Sequence, residues 1–120
     1  MDEVVHISQV VYPRLTLYSE ENYRGRARIL NGNLGLTNTD EVESLRFFST
    51  SANATLVLFT RINFKGNFRI YRGSRNIPDL DDLIAGNDVE SLISSNIRLT
   101  EAQVREIRRT GTLPAGFRKI

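Results

Sequence analysis

The chain has 120 residues, no cysteine and a formal net charge of +2, a length that folds as one domain and buries roughly two-thirds of the surface its unfolded form exposes. Without cysteine there is no disulfide framework, no thiolate metal site and no thiol redox chemistry, and a reducing, cytoplasmic location is the expectation. The small net charge hides an imbalance, since residues 1–100 hold 11 Lys or Arg against 12 Asp or Glu whereas residues 101–120 hold five against two, so the basic excess sits in the tail.

Taken in order, residues 4–12 (VVHISQVVY) are rich in β-branched side chains and stop at Pro13, which has no N–H to give a ladder; the pattern predicts an edge strand. The amino terminus shows neither a basic start nor a long apolar block, and no stretch approaches the ~20 apolar residues of a membrane span. Leu15 to Tyr18 read as a short strand, Ser19 to Asn22 as a polar turn, and Tyr23 to Leu30 as a second strand. In that second strand Ala27 and Ile29 alternate with Arg24, Arg26 and Arg28, which predicts a hairpin with the first pair on its buried face. Leu45 and Phe47 mark a further strand, and Ser49 to Asn53 form a small polar seam.

After the seam the pattern repeats. Leu15, Leu17, Tyr18, Tyr23, Gly25, Arg28 and Ile29 recur 41 residues on as Leu56, Leu58, Phe59, Phe64, Gly66, Arg69 and Ile70. Val42–Glu43–Ser44–Leu45 recur 47 residues on as Val89–Glu90–Ser91–Leu92, so the second copy carries six extra residues between its glycine and its serine. That insert, IPDLDDLIAG over residues 77–86, has Pro78 and acidic residues early and Leu80, Leu83 and Ile84 at one-face spacing, which predicts a short helical turn ending at Gly86. Leu92 and Ile93 interrupt the alternation of the last strand, and a bulge there would reconcile them. Thr100 and Gln103 form a T-x-x-Q capping box for a helix from Glu101 to about Arg109, closed by Gly111.

The repeated spacing of aromatic, aromatic and glycine is the chemistry of a hairpin folded over its own sheet. Gly25 and Gly66 supply a positive φ that a residue with a Cβ adopts at a cost of roughly 1 kcal/mol, and the ring pairs add about 0.5–1.5 kcal/mol beyond burial. Such a fold-over leaves backbone groups without strand partners, and the hydroxyls of Ser44 and Ser91 are the right size to satisfy them.

At these residues the chain resembles the βγ-crystallin superfamily. YSEENYRG and FTRINFKG match the superfamily's Greek-key pattern, as do ESLRF and ESLIS with their distal serines, and the resemblance spans about residues 14–99. It implies an all-β sandwich of two four-stranded sheets built from motif one (14–49) and motif two (54–99), within a domain of residues 1–100 followed by a basic helix and tail, 101–120. Microbial members resemble calcium binders through a signature of two Asn or Asp and a terminal hydroxyl pair ahead of the last strand, with polar groups exchanged between motifs and a carbonyl from each hairpin. Aligned on the structural serines, the resemblance implies Ca2+ ligands at Glu21, Asp40, Glu41 and Glu43, and at Ile62, Asn87, Asp88 and Glu90. This register keeps Leu45 and Leu92 inward. It departs from the signature at Thr39 and Gly86 in the first position and at Glu43 and Glu90 in the hydroxyl position. Glutamate is a better calcium donor than a hydroxyl, yet it also reaches Arg24, Arg61 or Arg46, where an ion pair would take the place of the metal.

Catalysis has little to work with. His6 is the single histidine and has no second ligand beside it, and paired acids such as Asp81 and Asp82 fit solvated turn residues better than glycoside chemistry. The arginines at 24, 26 and 28 share their copy with Glu20, Glu21, Asp40, Glu41 and Glu43, so cross-strand ion pairing is preferred to nucleic-acid binding. The expected role is a non-enzymatic structural or stress-associated protein, monomer or weak homodimer, with calcium at two inter-motif loops. Its rivals are a module binding an acidic partner or polyanion through Arg105, Arg108, Arg109, Arg118 and Lys119, and a protease-inhibitor or toxin-like member of the superfamily, which would use disulfides.

Overall fold

A computed structural model describes residues 11–120. The edge strand expected over residues 4–12 falls almost wholly outside them, as does His6; Val11 and Tyr12 lie in no strand. Among the described residues the first copy forms β1 (Arg14–Glu20), β2 (Arg24–Asn31), β3 (Leu34–Leu36) and β4 (Ser44–Phe48), and the second forms β5 (Thr55–Arg61), β6 (Lys65–Arg72), β7 (Arg75–Ile77) and β8 (Ser91–Ser95). Helix α1 (Glu101–Thr110) and a two-residue strand β9 (Arg118–Lys119) follow.

One sheet has the order β2-β1-β4-β7 and the other β6-β5-β8-β3-β9. Each copy therefore lends its third strand to the other copy's sheet, which is what a pair of interlocked Greek keys does. The two sheets close on Leu15, Leu17 and Leu45 from one side and on Leu56, Leu58 and Leu92 from the other, all buried. The resemblance implies four strands per sheet; the second sheet has these four and gains a fifth from the tail.

The folded hairpins match the expectation in both copies. Gly25 and Gly66 have φ of +80° and +82°, and the aromatic residues two before them, Tyr23 and Phe64, sit at +61° and +63°. The rings of Tyr18 and Tyr23 lie 5.8 Å apart, as do those of Phe59 and Phe64. Ser44 Oγ accepts from the Tyr23 amide at 3.0 Å and donates to the Glu20 carbonyl at 2.6 Å. Ser91 Oγ does the same for the Phe64 amide and the Arg61 carbonyl, at 3.0 and 2.6 Å.

Three local expectations are overturned. Ala27 and Ile29 are exposed: β2 pairs with β1 so that Leu17 lies opposite Arg28 and Leu15 opposite Leu30, which puts the arginine-bearing face of β2 on the sandwich side. Strand β8 has no bulge, because its pairing with β5 runs unbroken from Phe59↔Ser91 to Thr55↔Ser95. Leu92 faces the core between the sheets, whereas Ile93 joins a second apolar layer with Val57, Phe59, Val104 and Ile107 beneath α1. The bulges fall instead between Tyr18 and Glu20 and between Phe59 and Arg61. The insert is no helix; Asp82, Ala85 and Gly86 have φ of +53°, +49° and +82°, and Leu80 and Ile84 plug one end of the core from successive tight turns.

The tail docks back. Thr100 and Gln103 make the expected capping box, and Gly111 closes the helix in a left-handed conformation. Beyond α1, β9 pairs in parallel with β3, and the Ile120 amide donates to the Gly35 carbonyl at 2.8 Å. No helix among the described residues is long and apolar enough to cross a membrane.

Candidate metal site

The insert is fixed over the first copy's hairpin by its backbone. The Asn22 amide donates to the Pro78 carbonyl at 2.8 Å, and the Leu80 amide donates to the Glu43 carbonyl at 3.0 Å. These two bonds straddle the hairpin tip and the residue before the structural serine, and they bring Asp81 down onto Glu21 and Glu43. The carboxylate oxygens of Glu21, Glu43 and Asp81 lie within 4.8 Å of one another.

Two of these carboxyls, Glu43 and Asp81, are held above their ordinary values. Burial first, and then the Asp81 carboxylate, pushes the Glu43 carboxyl above its ordinary value, with Glu21 and Asp79 adding to the effect. Asp81 is also pushed up, by burial and then by Asp88 and Asp79. The hydrogen bond between the two side chains favours the proton on Glu43, since it raises Glu43 and lowers Asp81. A divalent cation would relieve this crowding, and hard carboxylate oxygens are the ligands calcium selects.

The remaining expected residues lie outside the three-carboxylate cluster. Asp40, Glu41, Asp88 and Glu90 line a cleft of about 260 Å³ together with Glu43 and Asp81. Asp88 lends its carboxylate to the Asp82 amide at 3.0 Å, which shapes the insert. Asn87 turns its side-chain amide onto the Ile84 and Ala85 carbonyls of its own loop. Glu41 also meets Arg26 of β2 at 3.2 Å, and the Thr39 hydroxyl donates into the protein, to the Val89 carbonyl at 2.8 Å. Ile62 is half exposed at the second hairpin. The ion pairs foreseen as competitors of a metal, Glu43 or Glu90 with Arg24, Arg61 or Arg46, are not found among the described residues; Glu41 pairs with Arg26. Arg46 lies instead over the Tyr23 ring, 3.8 Å from its centroid.

Sequence reasoning offered Glu21 and Glu43 as ligands but not Asp81, which the structure brings beside them. The extra length of the second copy was visible; where it lands is fixed by the two backbone bonds to Asn22 and Glu43, which leave no trace in residue type.

No family model and no curated protein matches the sequence. Solved structures do. Spherulin 3A from Physarum polycephalum superposes with a TM-score of 0.55 over 78% of this chain and 92% of its own, at 21% identity. A protein solved in work on the evolution of the eye-lens βγ-crystallin domain fold gives 0.52 over 74% and 92%, at 22% identity. The fold is that of the βγ-crystallin domains. The N-terminal domain of protein S shares it, with a TM-score of 0.51 over 72% of this chain and 99% of that one, at 15% identity. On the βγ-crystallin fold the Glu21–Glu43–Asp81 cluster sits where the first motif's hairpin meets the longer 77–86 segment of the second motif, which supplies its third carboxylate.

Proposed function

We propose that the protein is a non-catalytic structural domain of βγ-crystallin fold that binds one calcium ion, held by Glu21, Glu43 and Asp81 between the hairpin of the first motif and the insert of the second. The observation that carries this reading is the cluster itself, three carboxylates with oxygens inside 4.8 Å. Calcium takes six to eight oxygens, so main-chain carbonyls and water complete the shell around these three. The counterpart residues hold no such cluster: Asn87 turns its side-chain amide onto its own loop, and the second hairpin presents the apolar Ile62. One site replaces the two that the resemblance implies.

With few rigid ligands, binding falls in the weak range, a Kd of roughly 10⁻⁵–10⁻³ M. At a hundredfold excess over Kd the ion stabilises the fold by about 2–3 kcal/mol. Thermal melts in EDTA and in calcium, for the wild type and Asp81→Asn, test the reading. Calcium raises the wild-type Tm and moves the variant little; an equal rise in both would remove Asp81 from the site, and no rise in either would remove the site.

A further inference from the structure

Among the described residues, strand β2 is an edge strand of eight residues that pairs with β1 on one side only, and seven of the eight are exposed. The other sheet edges among the described residues are short or flanked. Strand β7 has three residues, β9 stands beside β3, and β6 is flanked by α1, whose Arg108 donates to the Gly66 carbonyl at 3.1 Å.

The backbone of β2 shows which groups remain open. The Arg26 amide donates to Ser19 Oγ of β1 at 2.8 Å, and the Gly32 amide donates to the Pro13 carbonyl at 2.9 Å. Alternation along an extended strand then turns the N–H and C=O groups of Ala27 and Ile29 outward. Unpaired groups in such a row are a template for another strand.

The side chains say which strand fits. Ala27 and Ile29 share the outer face, with Ile29 58% exposed, and Arg26 and Arg28 share the opposite one. Arg28 has no carboxylate partner among the described residues. The Arg26–Glu41 pair is about four-fifths exposed on both sides, and a pair so open to solvent exchanges readily for a competing carboxylate. Two copies meeting along β2 would set arginine against arginine, which opposes pairing. The same row complements carboxylates.

We propose that β2 is a docking edge for an extended acidic segment of a partner protein, added as a further strand, with carboxylates beside Arg26 and Arg28 and apolar side chains beside Ala27 and Ile29. This rests on the β2 edge alone and is independent of the cation cluster.

The probe is a fluorescein-labelled octapeptide of alternating glutamate and valine, with the lysine–valine octapeptide as its control, followed by anisotropy against the full chain in EDTA. The glutamate peptide binds, its affinity falls as salt is raised, and the lysine peptide does not bind. Ile29→Pro removes one outward N–H at an edge position where proline is tolerated, and it lowers affinity at least about tenfold, as a lost hydrogen-bonded anchor does. Arg28→Glu, an exposed charge reversal that keeps the backbone intact, gives a loss of similar size and covers the case in which the proline variant fails to fold. Binding of both peptides alike, no binding, or wild-type affinity in Arg28→Glu overturns the proposal. So does a concentration-dependent dimer of the full chain that Ile29→Pro abolishes, which would make a second copy the occupant, and so does binding that appears only after residues 1–10 are deleted.

Discussion

Ser44 and Tyr23 stand 21 positions apart in the chain, and the hydroxyl of the first accepts the backbone amide of the second at 3.0 Å. The same hydroxyl donates to the Glu20 carbonyl, so one side chain satisfies both backbone groups that the fold-over strips of strand partners. Ser91 repeats the arrangement under the fully buried Phe64. Removing either hydroxyl leaves an amide and a carbonyl unpaired, at about 1–3 kcal/mol for each buried group. Ser91→Ala is expected to cost about 2–4 kcal/mol and Ser44→Ala less, because Tyr23 is only half-buried and water reaches its amide. Urea unfolding of the two variants gives the comparison.

The tail is part of the packing. Val104 and Ile107 of α1 are buried on Val57, Phe59 and Ile93, and Lys65 Nζ reaches the Arg108 carbonyl at the carboxy-terminal end of the helix, where a cation meets the helix dipole favourably. Arg105 and Arg109 pair with Glu101 and Glu106 on the same helix, Arg108 packs over the Phe68 ring, and Arg118 and Lys119 donate to the Asn31 and Gly111 carbonyls. Ile107→Ala should therefore destabilise the domain by about 2–4 kcal/mol, the range for truncating a buried aliphatic side chain. Deleting residues 101–120 should lower Tm far more. Melting curves that leave Tm unmoved on deletion would show the helix to be an appendage.

The carboxylate cluster gives a pH signature in metal-free protein. Glu43 has a folded-state pKa above its ordinary value of 4.5, so the folded state binds its proton more tightly than the unfolded state does. The resulting penalty is fully present above the folded pKa and disappears as pH falls below the unfolded one. Glu43→Gln is therefore expected to be more stable than the wild type at pH 7 in EDTA, with the difference closing by pH 4. Glu106 works the other way, since Arg109 holds its carboxyl low, and comparing the two proteins at each pH cancels its effect. Denaturant melts at both pH values read the gap directly; a gap that widens on acidification would mean that Glu43 is stabilised as an anion.

Much of this was legible because it is enforced by sterics. A positive φ needs glycine at 25 and 66, the ring pairs need a fixed spacing, and the serine must be small, so the hairpins and their fasteners appear in residue type. The facing of β2 was not legible in the same way. Alternation of Ala27 and Ile29 with arginines defines two faces, but the register against Leu15 and Leu17 decides which is inward, and the bulge between Tyr18 and Glu20 helps to set it. Leu92 and Ile93 looked like a broken alternation because β8 is buried on both sides, under the opposite sheet and under α1. Leu80 and Ile84 looked helical because two plug residues from tight turns fell four apart. Strand β9 is too short to carry a periodicity.

The most direct test of the single-site account is calorimetric titration of EDTA-stripped protein with calcium, run beside a Glu43→Gln, Asp81→Asn double variant. The account predicts one ion per chain in the wild type, with a Kd of roughly 10⁻⁵–10⁻³ M, and no heat of binding in the variant. Two ions per chain, or unchanged binding in the double variant, would contradict it.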